Sequence, residues 1–380
     1  MQERRKDALV KDEHRLVTVG MTAYNGERYI AKAIESILTQ EYRNFELIIY
    51  DNASEDRTSE ICGEYANKDD RIKYYRNHTN IGPNANSLKV LDVSSGQYMQ
   101  WVSDHDIYHP QFISHLIKEL DKDESVVLCY PRTVCIDAND NVIEPLTPDV
   151  IDTRGLDTFQ RFSKVIWEFA WGNMIMGLFR MSVVRKIFSH PPVVIGPDHV
   201  MMADASLLGH IAQVNEPLYY RRMNHVNEDA QAAHNRHIKW FVKSKSEALV
   251  PWTMMAYEHI KILKDSDILS QGEKERLFDE VRKCFPARFG GKMQHEASRL
   301  ITEGLKVLRN ASEDRQTQRI MYMEFARLAS ICRFFYPEIK ELGYFISIGN
   351  QLFQPQVDVV HEIDKAVTEY DRLQAQTSKI

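Results

Sequence analysis

Residues 17–58 read VTVGMTAYNGERYIAKAIESILTQEYRNFELIIYDNASEDRT, and the order of residue types in this stretch decides the fold. The strand begins slightly earlier: RLVTVGM (15–21) follows a charged tail with a β-branched, apolar run, the pattern of a buried strand. TAYNGE then turns the chain. Ile30, Ala33, Ile34, Ile37 and Leu38 recur at helical spacing and share one face. FELIIYD (45–51) is a second strand, and NASEDRT supplies turn and N-cap residues for a helix to about Ala66. Strand and helix alternating at this length predict βαβ units and a mostly parallel sheet covered by helices.

The pattern continues outward. RIKYYRN (71–77) is a third strand. Asn80-Ile81-Gly82-Pro83 is a turn, with Pro83 in the first turn of a helix through Leu91. GQYMQWVSDHD (96–106) is a fourth strand ending in acidic residues, His109 to Leu120 a helix, and SVVLCY (125–130) a fifth strand. After Pro131 the reading is a hairpin turned at Asn139-Asp140-Asn141, an amphipathic helix over 156–169, and GNMIMGLFRMSVV as a strand leading into a helix. A short helix starts near Pro197, and IAQVNEPLYYRR (211–222) makes two short strands. Beyond about Asn227 only helical periodicity is found, over 231–263, 272–284, 293–309, 315–335 and 357–376, with breaks expected at Pro286, Gly290/Gly291 and Pro337.

Composition narrows the function classes. Hydrophobic residues are 43% of the chain, enough for a sizeable core, and the net charge of −6 excludes the global basic field of a nucleic-acid binder. The five cysteines are odd in number and show no CxxC spacing, which argues against a disulfide framework or structural zinc and fits a reducing cytoplasm. The charged opening MQERRKDALVKDEHR does not read as a secretory signal, and no apolar run reaches the ~18 residues that span a bilayer. The expectation is a cytoplasmic protein, membrane-associated at most at the surface. HIKWFVKSK (237–245) mixes lysines with aromatics, so a packed helix with a basic outer face and a peripheral membrane contact are both open, the first favoured.

Ligands on parallel sheets bind beyond the carboxyl ends of the strands. Four predicted strand ends carry polar residues: Thr22, Tyr24 and Asn25; Asp51 and Asn52; Asn77 and Asn80; Asp104 and Asp106. Asp104 and Asp106 offer hard oxygen ligands to a divalent cation that holds a diphosphate, with helix capping by Asp106 the equal alternative. Thr22, Ala23 and Tyr24 end the first strand, where backbone groups and a flat ring suit a nucleobase; a plain βα loop is the bland reading. Neither GxGxxG nor GxxxxGK[ST] occurs, so there is no glycine-rich phosphate cradle. Asp51 suits a ribose or base edge. Asp198 follows Pro197 at a helix start; a carboxylate there can act as general base, although taken alone it reads as a cap. Asp204 is its rival on another face of the helix.

Together these segments resemble the family 2 glycosyltransferases, with their GT-A nucleotide-sugar fold, over residues 15–225. The stretch quoted above is similar to that family's opening, and NIGPNANSLKVLDVSSGQYMQWVSDHDIYHPQFI (80–113) to its next block. GNMIMGLFRMSVV (172–184) resembles its acceptor-side strand and DHVMMADASLLGHIAQVNEPLYYRR (198–222) its closing block. The resemblance implies an α/β, GT-A-type mostly parallel sheet flanked by helices, followed by an α-helical C-terminal domain. Its catalytic domain would span 1–229, with a nucleotide-sugar half over about 15–130 and an acceptor half over about 131–229; the helical domain would span 230–380.

The resemblance also implies roles. Thr22, Ala23, Tyr24, Glu27, Asp51, Asn80 and Asp104 would contact the donor, a UDP-sugar by default. Asp104 and Asp106 would be the metal–diphosphate motif, with Mn²⁺ or Mg²⁺ as cofactor. Asp198 would be the catalytic base, because the family's following glycine falls at Gly209, and direct displacement would invert the anomeric carbon. The acceptor would be a hydroxyl or amine on a glycan, a lipid-linked precursor or a small molecule. Two departures stand out. Ser103 and His105 occupy positions where the family often has Asp, an exchange that favours Mn²⁺ and leaves Asp106 the favoured direct ligand. The family's histidine after the Tyr-Arg pair falls at His225, a third metal candidate. A non-catalytic sugar-nucleotide binder and a nucleotidyltransferase are the competing functions. The C-terminal helices are expected to serve acceptor engagement, membrane-surface contact or homo-oligomerisation.

Overall fold

A computed structural model describes residues 15–143, 149–189, 191–223, 244–309 and 315–353, together with 235, 238, 239, 241 and 242. The chain divides into two compact units, Met1–Pro192 with Asp198–Ala233, and Val193–Pro197 with His234–Ile380.

The first unit is built on an eight-stranded sheet whose strands lie in the spatial order Ile72–Arg76 (β3), Phe45–Asp51 (β2), Val17–Ala23 (β1), Tyr98–Ser103 (β4), Leu178–Arg180 (β7), Val126–Ile136 (β6), His210–Arg222 (β8) and Ile107–Tyr108 (β5). Its first half is the predicted parallel array. β1 (Val17–Ala23) lies between β2 (Phe45–Asp51) and β4 (Tyr98–Ser103), and β3 (Ile72–Arg76) pairs with β2. Helices α1 (Ile30–Leu38), α2 (Thr58–Ala66) and α3 (Pro83–Asp92) connect these strands, and Pro83 occupies the first turn of α3 as its fixed φ allows. Ile30, Ala33, Ile34 and Ile37 of α1 are buried against Val17, Val19, Met21 and Leu47, so the apolar spacing read from the sequence is the packing face. The core extends to Phe112, Leu116 and Leu120 of α4 (Phe112–Lys122).

The second half of the sheet is mixed. β5 (Ile107–Tyr108) pairs antiparallel with β8 (His210–Arg222), which runs parallel to β6 (Val126–Ile136). β7 (Leu178–Arg180) joins β4 to β6 antiparallel to both. Helices α5 (Thr158–Glu168), α6 (Met181–Ile187) and α7 (Pro197–Leu208) belong to this half. A Cβ on Gly209 would collide with Val127 and the Ser125 carbonyl, so glycine is what lets β8 start tight beside β6.

Several expectations are corrected. The fourth strand stops at Ser103, and Asp104 and His105 lie in a bend before the separate strand β5. The 211–222 segment is one strand, because irregular register around Arg132 and Thr133 absorbs Pro217 without ending the pairing. GNMIMGLFR forms a 3-10 turn (Asn173–Met176) before three strand residues. Residues 132–136 extend β6, and the chain turns back at Asn139-Asp140-Asn141 as expected: Ile136 bridges antiparallel to Val142, and the Ile143 N–H donates to the Cys135 carbonyl.

In the second unit, α8 (Pro251–Asp265) is followed by α9 (Gln271–Arg309), α10 (Arg315–Phe335) and α11 (Lys340–Phe353). The expected breaks at Pro286 and Gly290/Gly291 do not occur; α9 runs through them. Leu277, Val281, Cys284, Phe285, Met293, Ala297 and Leu300 are buried along it, and this packing outweighs the helix-breaking cost of one proline and two glycines. The break at Pro337 is present, while helix α11 was not foreseen and the 357–376 segment lies outside the described residues. Trp240 and most of 231–243 also lie outside them. Among the described residues no helix is long and apolar enough to cross a membrane.

Candidate active site

The register of the parallel strands brings their polar ends together. Ala23 is level with Asp51, Asp51 with Arg76, and Thr22 with Ser103. Asp51 is 0% exposed, and four donors surround its carboxylate. Oδ1 accepts from the Ser54 N–H (2.9 Å) and hydroxyl (2.6 Å); Oδ2 accepts from Tyr74 Oη (3.0 Å) and Arg76 Nε (3.2 Å). This carboxylate ties the ends of β2 and β3 together, and Arg76, which the sequence reading passed over, lies half exposed beside it.

The loop after β1 is tied to the loop after β2. Asn25, at φ 53°, donates its N–H to Ser54 Oγ, Gly26 donates to Thr58 Oγ1, and Glu27 donates to Asp56 while accepting from the Arg57 N–H. Glu27 therefore serves loop geometry here. Tyr24 stands 46% exposed beyond the strand end. Asn80 Oδ1 accepts from Asn52 Nδ2 and the Gly82 N–H, and Asn52 Oδ1 accepts from Asn77 Nδ2 and the Ile81 N–H. These asparagines fix the turn beside the ends of β2 and β3.

Asp104 and Asp106 face different ways because the strand ends before them. Asp104 Oδ2 accepts from the Tyr24 N–H (3.1 Å), and its Oδ1 lies 2.8 Å from His105 Nδ1. Asp106 is 2% exposed and turned into the fold. It accepts from Tyr219 Oη (2.6 Å) and the Arg222 N–H (2.7 Å), bracing β8. The residues therefore fit a divalent ion at Asp104, whose oxygens each keep a lone pair, with His105 beside it. Asp106, the expected direct ligand, is by contrast buried, with both carboxylate oxygens accepting from β8. Among the described residues no group of three His, Cys, Asp or Glu is placed to hold a metal, so such an ion would take most of its ligands from diphosphate and water. His225 lies outside the described residues. Burial acts to depress the His105 imidazole, but its Asp104 hydrogen bond and Asp106 outweigh this and hold it above its ordinary value.

The different placements predict different losses. Asp106→Ala strands two buried donors at about 1–3 kcal/mol each, which should lower the melting temperature by roughly 5–15 °C. Asp104→Ala should leave the melting temperature near wild type and lower metal-supported turnover instead. Thermal denaturation of both variants separates the two roles; an unchanged melting temperature for the Asp106 variant would overturn its bracing role.

Asp198 lies in the first turn of α7. Its carboxylate lies against Gly172, which sits at φ 70°; a Cβ there would collide with Asp198 Oδ2. Burial pushes the Asp198 carboxyl above its ordinary value, the His199 N–H and Arg221 pull it down, and Asp149 adds to the rise. Arg221 of β8 interacts electrostatically with His105 on one side and with Asp149 and Asp198 on the other. Its Nη1 donates to the Trp171 carbonyl. Arg222 beside it is committed to the fold: it donates to the His105 and Asp137 carbonyls and to Asp140, and covers the Tyr29 ring. The rival Asp204 is pushed up to about 6 by burial, but its charged neighbour is Lys186 of α6.

Residues 18–188 match the model of glycosyl transferase family 2. The chain is 31% identical over 136 residues to an uncharacterised glycosyltransferase of Methanocaldococcus jannaschii, covering 35% of this chain and 47% of that one. It is 34% identical over 104 residues to the glycosyltransferase GlyA of Streptococcus pneumoniae, covering 27% and 15%. The matched part thus spans less than half the length of these curated relatives. In structure it resembles S. aureus TarS 1–349 in complex with UDP-GlcNAc, with TM-score 0.58 at 15% identity over 88% of this chain and 91% of that one. Residues 18–188 are a family 2 glycosyltransferase domain, carried on a GT-A-type fold that continues into a helical C-terminal region.

Proposed function

We propose that this protein is an inverting glycosyltransferase that moves a sugar from a nucleoside-diphosphate sugar, by default a UDP-sugar, onto an acceptor hydroxyl or amine. The observation that carries this reading is the convergence of Tyr24, Asp51 and Arg76 at the carboxyl ends of the parallel strands, together with Arg221, whose charge acts both on His105 beside them and on the half-buried carboxylate of Asp198. The UDP-GlcNAc bound by the structurally similar TarS supports the UDP default.

In the proposed reaction the acceptor O–H or N–H gives its proton to Asp198. The acceptor lone pair forms a bond to the anomeric carbon as the bond from that carbon to the phosphate oxygen breaks. The nucleoside diphosphate leaves with the bonding pair, and attack from the opposite face inverts the centre. Arg221 offsets charge developing on the leaving group. A divalent ion at Asp104 would, when bound, offset the same charge. Desolvation by its surroundings raises the basicity of Asp198. The domain limits 1–229 and 230–380 belong to this proposal, with the C-terminal helices serving acceptor engagement or self-association.

The test is incubation with UDP-, GDP- and dTDP-sugars, with Mn²⁺ or Mg²⁺, and detection of released nucleoside diphosphate. At least one donor is expected to be turned over, and UDP is expected to raise the melting temperature by binding the folded state. Nucleotide binding without turnover of any donor would favour a non-catalytic binder; neither binding nor turnover would overturn the reading.

A further inference from the structure

Asp149 belongs to no motif of the sequence, and its place in the fold is unusual for a loop carboxylate. It is buried, and it accepts hydrogen bonds from three consecutive backbone N–H groups. Oδ1 accepts from Ala170 (3.0 Å) and Trp171 (3.1 Å), and Oδ2 from Trp171 (2.9 Å) and Gly172 (3.2 Å). The segment carrying it is itself anchored to the sheet. Gln213 of β8 donates to the Asp149 carbonyl, and the Gln213 N–H donates to Asp152. Tyr130 Oη of β6 both accepts from the Ile151 N–H and donates to the Ile151 carbonyl.

The loop that Asp149 grips serves both proposed active-site charges. The Trp171 carbonyl receives Arg221, Gly172 packs against the Asp198 carboxylate, and Asn173 Nδ2 donates to Thr133 Oγ1 (3.0 Å). Rigid backbone contact on this scale is what holds a base in reach of a reacting proton, where a 1 Å displacement can cost about 10²-fold in rate.

We propose that Asp149 is a positioning residue of the glycosyl-transfer site, fixing the 170–173 loop so that Asp198 and Arg221 keep one relative placement. The proposal rests on Asp198 being the base, and it adds a residue that touches no reacting atom. Asp149 also acts through its charge. Among the described residues the charged groups that act most on Asp198 are Arg221 on β8, which lowers its pKa, and Asp149, which raises it; the neighbouring His199 lends it a backbone N–H.

Two variants test this in the full-length protein. Asp149→Ala removes both the grip and the charge, and kcat is expected to fall at least about tenfold while UDP binding stays within about twofold of wild type. Asp149→Asn keeps an accepting oxygen but no charge, so the acid limb of kcat/KM should move to lower pH as Asp198 loses a negative neighbour. A purely structural residue would not move that limb. Unchanged turnover in the Ala variant with an unmoved limb in the Asn variant overturns the proposal. So does a loss of UDP binding in step with kcat. If the Ala variant does not fold, the limb of the Asn variant decides alone. Asp198→Asn keeps the two readings apart: if it turns over normally, the base assignment fails whatever Asp149 does, whereas a dead Asp198 variant beside unaltered Asp149 variants sinks only this inference.

Discussion

Asp198→Asn is expected to reduce glycosyl transfer by about 10²–10⁴-fold while UDP still raises the melting temperature as in wild type. The amide keeps the shape of the carboxylate and can still lie against Gly172, but it cannot take a proton. The variant should also be no less stable than wild type. Burial raises the Asp198 pKa in the folded state above its unfolded value, so its contribution to stability is greatest below the unfolded pKa and is lost as pH rises through the folded one. Near neutral pH the ionised group is therefore a burden that the amide removes. Lost turnover with an equal or higher melting temperature separates a catalytic defect from a folding one. Asp204→Asn, whose carboxyl faces Lys186, should be mild in turnover. Wild-type turnover in the Asp198 variant, or a greater loss at Asp204, would sink the assignment.

The first half of the sheet was legible because its signals are local. Val17–Ala23 and Phe45–Asp51 are buried runs, and α1 carries its apolar residues at helical spacing, so each element can be read without knowing its neighbours. The second half depends on pairing at a distance. β7 has three residues, too few to show a period, and exists because β4 and β6 each offer it an edge. Likewise, nothing local at Pro286 or Gly290 announces that buried residues on both sides will carry α9 through them.

The site divides along the same line. Strand-end residues such as Asp51 and Asp104 could be placed by counting along predicted strands. Which way each carboxylate points could not. Two residues apart in an unbroken strand, Asp104 and Asp106 would share a face; the bend after Ser103 sends one toward Tyr24 and the other under Tyr219. Asp149 and Gly172 carry no signal at all in one sequence, since their partners lie 21–26 residues away along the chain and are met only after β6, β8 and α7 have assembled. Arg76 could have been noticed as a cation closing the third strand, level with Asp51.

Arg221→Ala is expected to lower kcat by about 10²–10³-fold, the scale seen when a preorganised group is withdrawn from charge that develops in the transition state. Its guanidinium is the cation between His105 and Asp198, while Arg222 beside it is committed to the fold. The substitution should have a second, separable signature. Arg221 lowers the pKa of Asp198, so its loss leaves burial and Asp149 less opposed and raises that pKa further. A base works only when ionised, so the acid limb of kcat/KM should move to higher pH, opposite in sign to the shift expected for Asp149→Asn. Arg221→Lys should return the limb toward its wild-type position, because the charge is restored. It should recover kcat only in part, because an ammonium cannot hold the Trp171 carbonyl and the diphosphate in one planar fork. Full activity in the Ala variant, or a limb that stays fixed, would show that Arg221 lies outside the reacting field and that another cation meets the leaving group.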